Sequence, residues 1–154
     1  MKMLLTAVMF QGCSFVLYDE PCDTADPGPA PLLWSAIGAG SIHSCGLDDA
    51  GQIMCWGENP EGQLDAPDGF FSVLSVGHTH SCALDDEGDV ACWGRTDDGQ
   101  ADLSGPLESI SAGGAHTCGL QPDGRVVCAG RNTEGQIDAP TGEFQAISGG
   151  WAHT

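Results

Sequence analysis

The chain has almost no strong bases. Lys2, Arg95, Arg125 and Arg131 are the only lysines and arginines among 154 residues, against 22 acidic residues, for a formal charge of −18. Phosphate binding needs clustered Lys and Arg, so such a surface repels DNA and RNA, and no nucleic-acid partner is expected. An anionic membrane surface is disfavoured on the same ground. Long apolar runs are missing too. Leu4 to Phe10 is too short to cross a bilayer and nothing later is long enough. No nucleophile elbow, no Ser-His-Asp order in a fitting context and no phosphate-cradling glycine loop is present. "GAGS" at 38 to 41 reads as a strand end. The chain is therefore expected to be no enzyme, to have no catalytic residues and to hold no cofactor.

Cysteine, by contrast, is plentiful, with 8 in the chain. In a chain this short, cysteines spaced for pairing point to an oxidising compartment. The beginning agrees. "MKMLLTAVMFQGCS" has one base, a short apolar run and then Gly12-Cys13, which resembles a bacterial lipoprotein signal with Cys13 as the lipidated residue. Phe10 and Gln11 depart from that pattern, so a cleaved secretory peptide and an arbitrary fragment start stay open as readings of 1–13. Residues 14–32, including "DEPCDTADPGPAP", read as a Pro/Asp-rich tether. Cys22 has no evident partner unless it pairs with Cys13. The expected location is extracytoplasmic, in a bacterial envelope or secreted, with membrane contact only through a lipid anchor.

Beyond the tether the sequence repeats itself. His43, His80, His116 and His153 step by 37, 36 and 37 residues. Cys45, Cys82 and Cys118 keep that step, as do Cys55, Cys92 and Cys128. Trp34, Phe71, Leu107 and Phe144 form another column, and Ile37, Leu74, Ile110 and Ile147 another. Gly62-Gln63, Gly99-Gln100 and Gly135-Gln136 complete the pattern. The units run over about 34–67, 71–104 and 107–141, with a partial unit at 144–154.

Each unit reads as short strands, with "FFSVLSVG" alternating as a half-buried strand does. Its hairpin can be placed in register. If Cys45 faces Cys55, Gly46 faces Met54 and Leu47 faces Ile53, leaving Asp49, Ala50 and Gly51 as a three-residue loop. Such a loop ends in a left-handed residue, which suits Gly51, Gly88 and Gly124. Pro122 fits the first loop position. The cysteine pair then falls on a non-hydrogen-bonded rung, where α-carbons stand about 4.5 Å apart and a disulfide can form. Bonds Cys45–Cys55, Cys82–Cys92 and Cys118–Cys128 are expected. His43 shares the face of Cys45 and Cys55, but zinc sites usually take cysteines from tighter knuckles, so a bond is preferred to a metal. Both faces of each hairpin are apolar or small, as in sheets stacked between neighbouring sheets.

Sheet units of this length with "WG" closing a strand and "GQ" shortly after resemble the regulator of chromosome condensation repeat. "CWGENPEGQLDAP", "CWGRTDDGQADLS" and "CAGRNTEGQIDAP" carry the motif, preceded by "AGSIHSC", "VGHTHSC" and "AGGAHTC". The resemblance covers about Leu33 to Thr154. It is greatest to short bacterial members with paired cysteines, among them a secreted propeller that inhibits β-lactamases. It implies an all-β fold, a β-propeller, here three full blades and the opening strand of a fourth. A ring of about seven such units needs ~260 residues. A fragment is thus implied, with self-association to complete a ring as the alternative. Asp65, Asp102 and Asp138 stand where nuclear members have glycine, Ala129 replaces the tryptophan, and nuclear members lack the cysteine pairs. These departures weigh against chromatin binding.

The remaining polar columns read as structural. The four series histidines are expected to tie neighbouring strands together within a blade, rather than to ligate metal as a ring. His78, outside the series, is placed near a strand end at the surface. Asp65, Asp102 and Asp138, near Glu61, Asp98 and Glu134, are expected to cap turns; no "DxDxDG" run supplies calcium ligands. Gln63, Gln100 and Gln136 are expected to bridge backbone groups of adjacent blades. The function this implies is a protein–protein binding scaffold. An inhibitor of the β-lactamase-inhibitor type, a guanine nucleotide exchange factor by family analogy, and a propeller lyase with its site in other blades are the alternatives.

Overall fold

A computed structural model describes residues 33–154; the signal and tether segments, with Cys13 and Cys22, lie outside the described residues. Among the described residues the regular structure is all β. The strands are β1 (Trp34–Ala39), β2 (His43–Asp48), β3 (Ile53–Gly57), β4 (Val73–Val76), β5 (His80–Leu84), β6 (Val90–Gly94), β7 (Ser109–Ala112), β8 (His116–Leu120) and β9 (Val126–Gly130). They form three separate antiparallel sheets, β1-β2-β3, β4-β5-β6 and β7-β8-β9. Each sheet is one blade.

The hairpin register follows the turn. Cys45 pairs with Cys55, Gly46 with Met54 and Leu47 with Ile53, and the later blades repeat this at Cys82–Cys92 and Cys118–Cys128. Gly51, Gly88 and Gly124 take φ of 83°, 82° and 82°, a region a side chain disfavours. In the first two hairpins an aspartate braces the turn from within. Asp48 Oδ1 accepts from the amides of Ala50 and Gln52, and Asp85 Oδ1 from those of Glu87 and Asp89. Each cysteine pair has α-carbons 4.1 Å apart, close to the spacing of a non-hydrogen-bonded rung, with the sulfurs at bonding distance.

A three-stranded blade is too small to enclose a core of its own, so the apolar cores lie between blades. Cys45, Ile53 and Cys55 of the first blade pack on Phe71, Leu74, Val76, Ala83 and Trp93 of the second. Cys82, Leu84, Val90 and Cys92 of the second pack on Leu107, Ile110, Val127 and Ala129 of the third. The disulfide-bearing face of one blade thus meets the opposite, apolar face of the next. The expectation that both faces are buried holds for the second blade, with a neighbour on each side. It fails for the outer face of the first. Ile37, Met54 and Trp56 are 62%, 54% and 45% exposed, because among the described residues no blade precedes them.

Main-chain contacts repeat at both ends of the sheets. At the hairpin end, the amides of Phe71, Leu107 and Phe144 donate to the carbonyls of Gly51, Gly88 and Gly124. At the opposite end the connections between the first two strands of each blade approach closely. A Cβ on Gly40 would lie 2.5 Å from the Gly77 carbonyl oxygen, and one on Gly77 2.7 Å from that of Gly113. That approach requires glycine. Residues 144–154 continue the order by lying against the third blade, but they do not form the opening strand expected of a fourth unit. Extended backbone becomes a strand by ladder pairing, and among the described residues no strand forms a ladder with this segment.

If the hairpin register is correct, reducing the 33–154 polypeptide adds six hydrogens to its mass, and non-reducing peptide maps join cysteines only within a hairpin. Replacing Cys82 and Cys92 together by alanine lowers unfolding stability by about 2–3 kcal/mol, the expectation for so short a closed loop. A bridge between blades contradicts the register.

Candidate functional site

The repeated polar residues meet between blades. His43 Nε2 lies 2.9 Å from Ser81 Oγ, His80 Nε2 2.8 Å from Thr117 Oγ1, and His116 Nε2 2.8 Å from Thr154 Oγ1. Each histidine therefore latches its blade to the next one. The expectation that it joins strands within a blade is corrected. The hydroxyl within hydrogen-bonding reach of each imidazole belongs to the middle strand of the next blade or, for His116, to the segment after the third. The signal was present in sequence. Every series histidine is followed directly by a hydroxyl residue, Ser44, Ser81, Thr117 or Thr154.

Burial sets the charge state of the latch. His80 is pushed down to about 4, first by desolvation and then by repulsion from His116, His43 and His78. His43 is lowered by desolvation and by His78. His116 is lowered by desolvation and by repulsion from His153, partly offset by the nearby His153 main chain. All three are held neutral, so one ring nitrogen carries a proton and one does not. Nδ1 of each finds no partner, and the Nε2–hydroxyl contact carries the ring's polar bonding.

The glutamines act differently from expectation. Gln63, Gln100 and Gln136 are buried, and each Oε1 accepts the amide two residues earlier, from Glu61, Asp98 and Glu134. Their side chains brace their own loops, because that amide is the nearest donor once the turn closes. The bridge between blades runs through a main-chain oxygen instead, with Trp93 Nε1 donating to the Gln63 carbonyl at 2.9 Å. Asp65, Asp102 and Asp138 close turns, their amides donating to the carbonyls of Gly62, Gly99 and Gly135. Asp65 and Asp138 also accept from the side chains of Asn59 and Asn132. Among the described residues no three His, Cys, Asp or Glu side chains converge as a metal cage.

At the end of the sheets where the first two strands connect, the loops differ between units. Ser41, His78, Gly114 and Trp151 occupy one column there. His78 sits beside the start of β5, as expected, half-buried rather than free, with its ring 4.3 Å from that of Trp151. The sequence carries no local signal of this pair, since its residues belong to different repeats.

The model of the regulator of chromosome condensation (RCC1) repeat matches residues 34–63, 72–100 and 108–136, more than half of the chain. The chain belongs to the RCC1 repeat family. It is similar to the ectodomain of the receptor kinase CR4 from Physcomitrella patens, at 32% identity and a TM-score of 0.67, covering 80% of this chain and 37% of that one. The CRINKLY WD40 ectodomain of the Arabidopsis thaliana receptor kinase ACR4 matches at 25% identity and 0.66, covering 79% and 45%. Prp20p from Saccharomyces cerevisiae, a protein with binding properties to Gsp1p and histones, matches at 21% and 0.63, covering 72% and 34%. This last likeness shows the fold alone. The chain thus spans less than half the length of these solved structures. No curated protein matches it. The RCC1 resemblance and the partial propeller read from sequence are both upheld.

The latch makes stability depend on pH. Above pH 6.5 both folded and unfolded chains hold neutral imidazoles. Below it the unfolded chain takes up protons that the folded chain refuses, so stability falls with pH until about 4, where His80 protonates in the fold as well. For His80 alone the loss is on the order of 3 kcal/mol. His80→Gln is expected to melt below the native chain at pH 7.5, by about 1–3 kcal/mol for the lost buried hydrogen bond, and the gap is expected to narrow at pH 5. Parallel melting curves for both proteins across that range contradict a neutral latch.

Proposed function

We propose that the chain is part of an extracytoplasmic RCC1-type propeller that binds another protein through its loops and catalyses nothing itself. One observation carries this reading. The polar residues that repeat are engaged in holding blades and turns together, whereas the loop column Ser41, His78, Gly114 and Trp151 varies on a framework that does not need it. Variable loops on a rigid scaffold suit recognition, and a formal charge of −18 favours a basic partner surface.

Paired cysteines within each hairpin support an oxidising compartment. Two of the similar solved structures are ectodomains. A signal in 1–13 with lipidation at Cys13, a tether over 14–32, and repeat units at about 34–67, 71–104 and 107–141 complete the proposed organisation. The binding of Prp20p to Gsp1p and histones comes here only as an analogy of role. Stoichiometric inhibition of an enzyme would be one form of the binding proposed. Guanine nucleotide exchange in a cytosol fits poorly with three disulfides, and a propeller lyase would carry its acid–base site in other blades.

Two measurements test the reading. In bacteria expressing residues 1–154, radiolabelled palmitate is expected to enter the protein and to be lost in Cys13→Ala; label unaffected by that change refutes the anchor. Tagged 33–154 polypeptide, incubated with envelope and secreted fractions, is expected to retain one polypeptide stoichiometrically and release it in high salt. Variants of the loop column are expected to lose that partner while melting normally. Equal retention by the reduced, unfolded chain contradicts specific binding.

A further inference from the structure

The repeats are symmetric in their latches and turns, and one cavity breaks that symmetry. It has a volume of about 430 Å³ and is lined by His78, Arg95, Asp98, Arg131, Glu134 and Trp151, with Gly114 beneath. Two of the four strong bases of the chain meet here. Arg95 and Arg131 occupy one column of the repeat, whose first-unit member is Glu58, and Asp98 and Glu134 another, so the cavity belongs to the later units. Its assembly depends on Gly114. A Cβ there would stand 2.3 Å from the Trp151 carbonyl oxygen and 3.4 Å from Cδ2 of the indole. Without a side chain at that position, Trp151 crosses the third blade's loop and meets His78 of the second in a T-shaped stack.

The lining selects a class of ligand. Arg95 Nη2 is 3.4 Å from Asp98 Oδ2, and Arg131 Nη2 is 3.1 Å from Glu134 Oε1. Each guanidinium is already matched by a carboxylate, which also fixes its plane. An anion must approach a chain of formal charge −18, and a cation must pass two arginines. Neither ion gains a matching unpaired charge. A neutral polyhydroxylated molecule can use all of the lining, because its hydroxyls donate to carboxylates and accept from guanidiniums. Trp151 supplies the apolar component. Its orientation is set by His78, yet it stays 66% exposed, and an indole packs well against the C–H face of a sugar ring. The volume lies in the range of small-ligand sites.

We propose that this cavity between the second and third blades and the segment after them is a carbohydrate site, taking one or two neutral pyranose rings against Trp151. The inference shares His78, Gly114 and Trp151 with the loop column of the protein-binding reading but does not rest on that reading, and its failure leaves that reading standing. The shared chemistry covers a free oligosaccharide and a glycan carried on another molecule.

The test is a titration of the oxidised 33–154 polypeptide, following the indole N–H resonances of its tryptophans by NMR. The probes are glucose, galactose, mannose, N-acetylglucosamine and their disaccharides, with glutamate and arginine as charged comparators. At least one neutral sugar is expected to shift the Trp151 signal saturably, with Trp34 and Trp56 unmoved. Trp151→Ala is expected to weaken binding about tenfold or more, and Glu134→Gln to weaken it less, while Trp56→Ala leaves it unchanged. A glycoprotein bearing the best sugar, before and after deglycosylation, tells a glycan-borne ligand from a free one. Saturable binding of glutamate or arginine with no response to any sugar overturns the proposal, as does sugar binding that survives Trp151→Ala or silence of the Trp151 signal throughout.

Discussion

The structure depends on burial between blades. A three-stranded antiparallel sheet has two faces and too little volume to hide either one. Here the disulfide-bearing faces of the first two blades are each hidden by the opposite face of the next blade, so Leu84, fully buried, owes its environment to Leu107 and Ile110 of the following unit. The imidazole–hydroxyl latch sits inside this contact and is held neutral by its burial. The latch in turn rewards correct docking, since a misplaced neighbour would leave a buried imidazole with no partner at either nitrogen. Hydrophobic burial supplies most of the free energy, and the latch supplies the register.

The disulfides solve a different problem. A short hairpin is unstable until its neighbour arrives, and a crosslink across the rung restricts the unfolded hairpin before any packing occurs. Gly40 and Gly77 allow the opposite ends of the blades to approach until main chains nearly touch. The blade is therefore stapled internally and bound to its neighbour by weaker, distributed contacts. This division leaves the loops free to vary, as His78 and Trp151 do.

Much of this was legible in sequence because a repeat shows the same constraint several times. The hairpin register followed from the cysteine spacing and from glycine at 51, 88 and 124, each of which answers to local geometry. Which blade a polar side chain bonds to is not local. The histidines were placed within a blade, although the serine or threonine after each of them marked the other half of the latch. The glutamines were assigned to a bridge that Trp93 and a main-chain carbonyl make, because sequence cannot tell which donor is nearest once a turn has closed. Residues 144–154 carry a strand pattern, yet a strand needs a partner and pattern alone does not provide one. The His78–Trp151 pair was invisible for the opposite reason, since it depends on what repeats fail to share.

The most direct test of burial between blades is to make one blade alone. Residues 70–104, with the Cys82–Cys92 bond formed, contain a complete hairpin and its first strand. Amide hydrogen exchange of this peptide can be compared with that of the same residues in the 33–154 chain. The account predicts that β5 amides are strongly protected in the chain and exchange almost freely in the isolated blade. Protection in the isolated blade equal to that in the chain would mean that a blade is stable by itself, and the neighbour would then be an ornament rather than the source of the core.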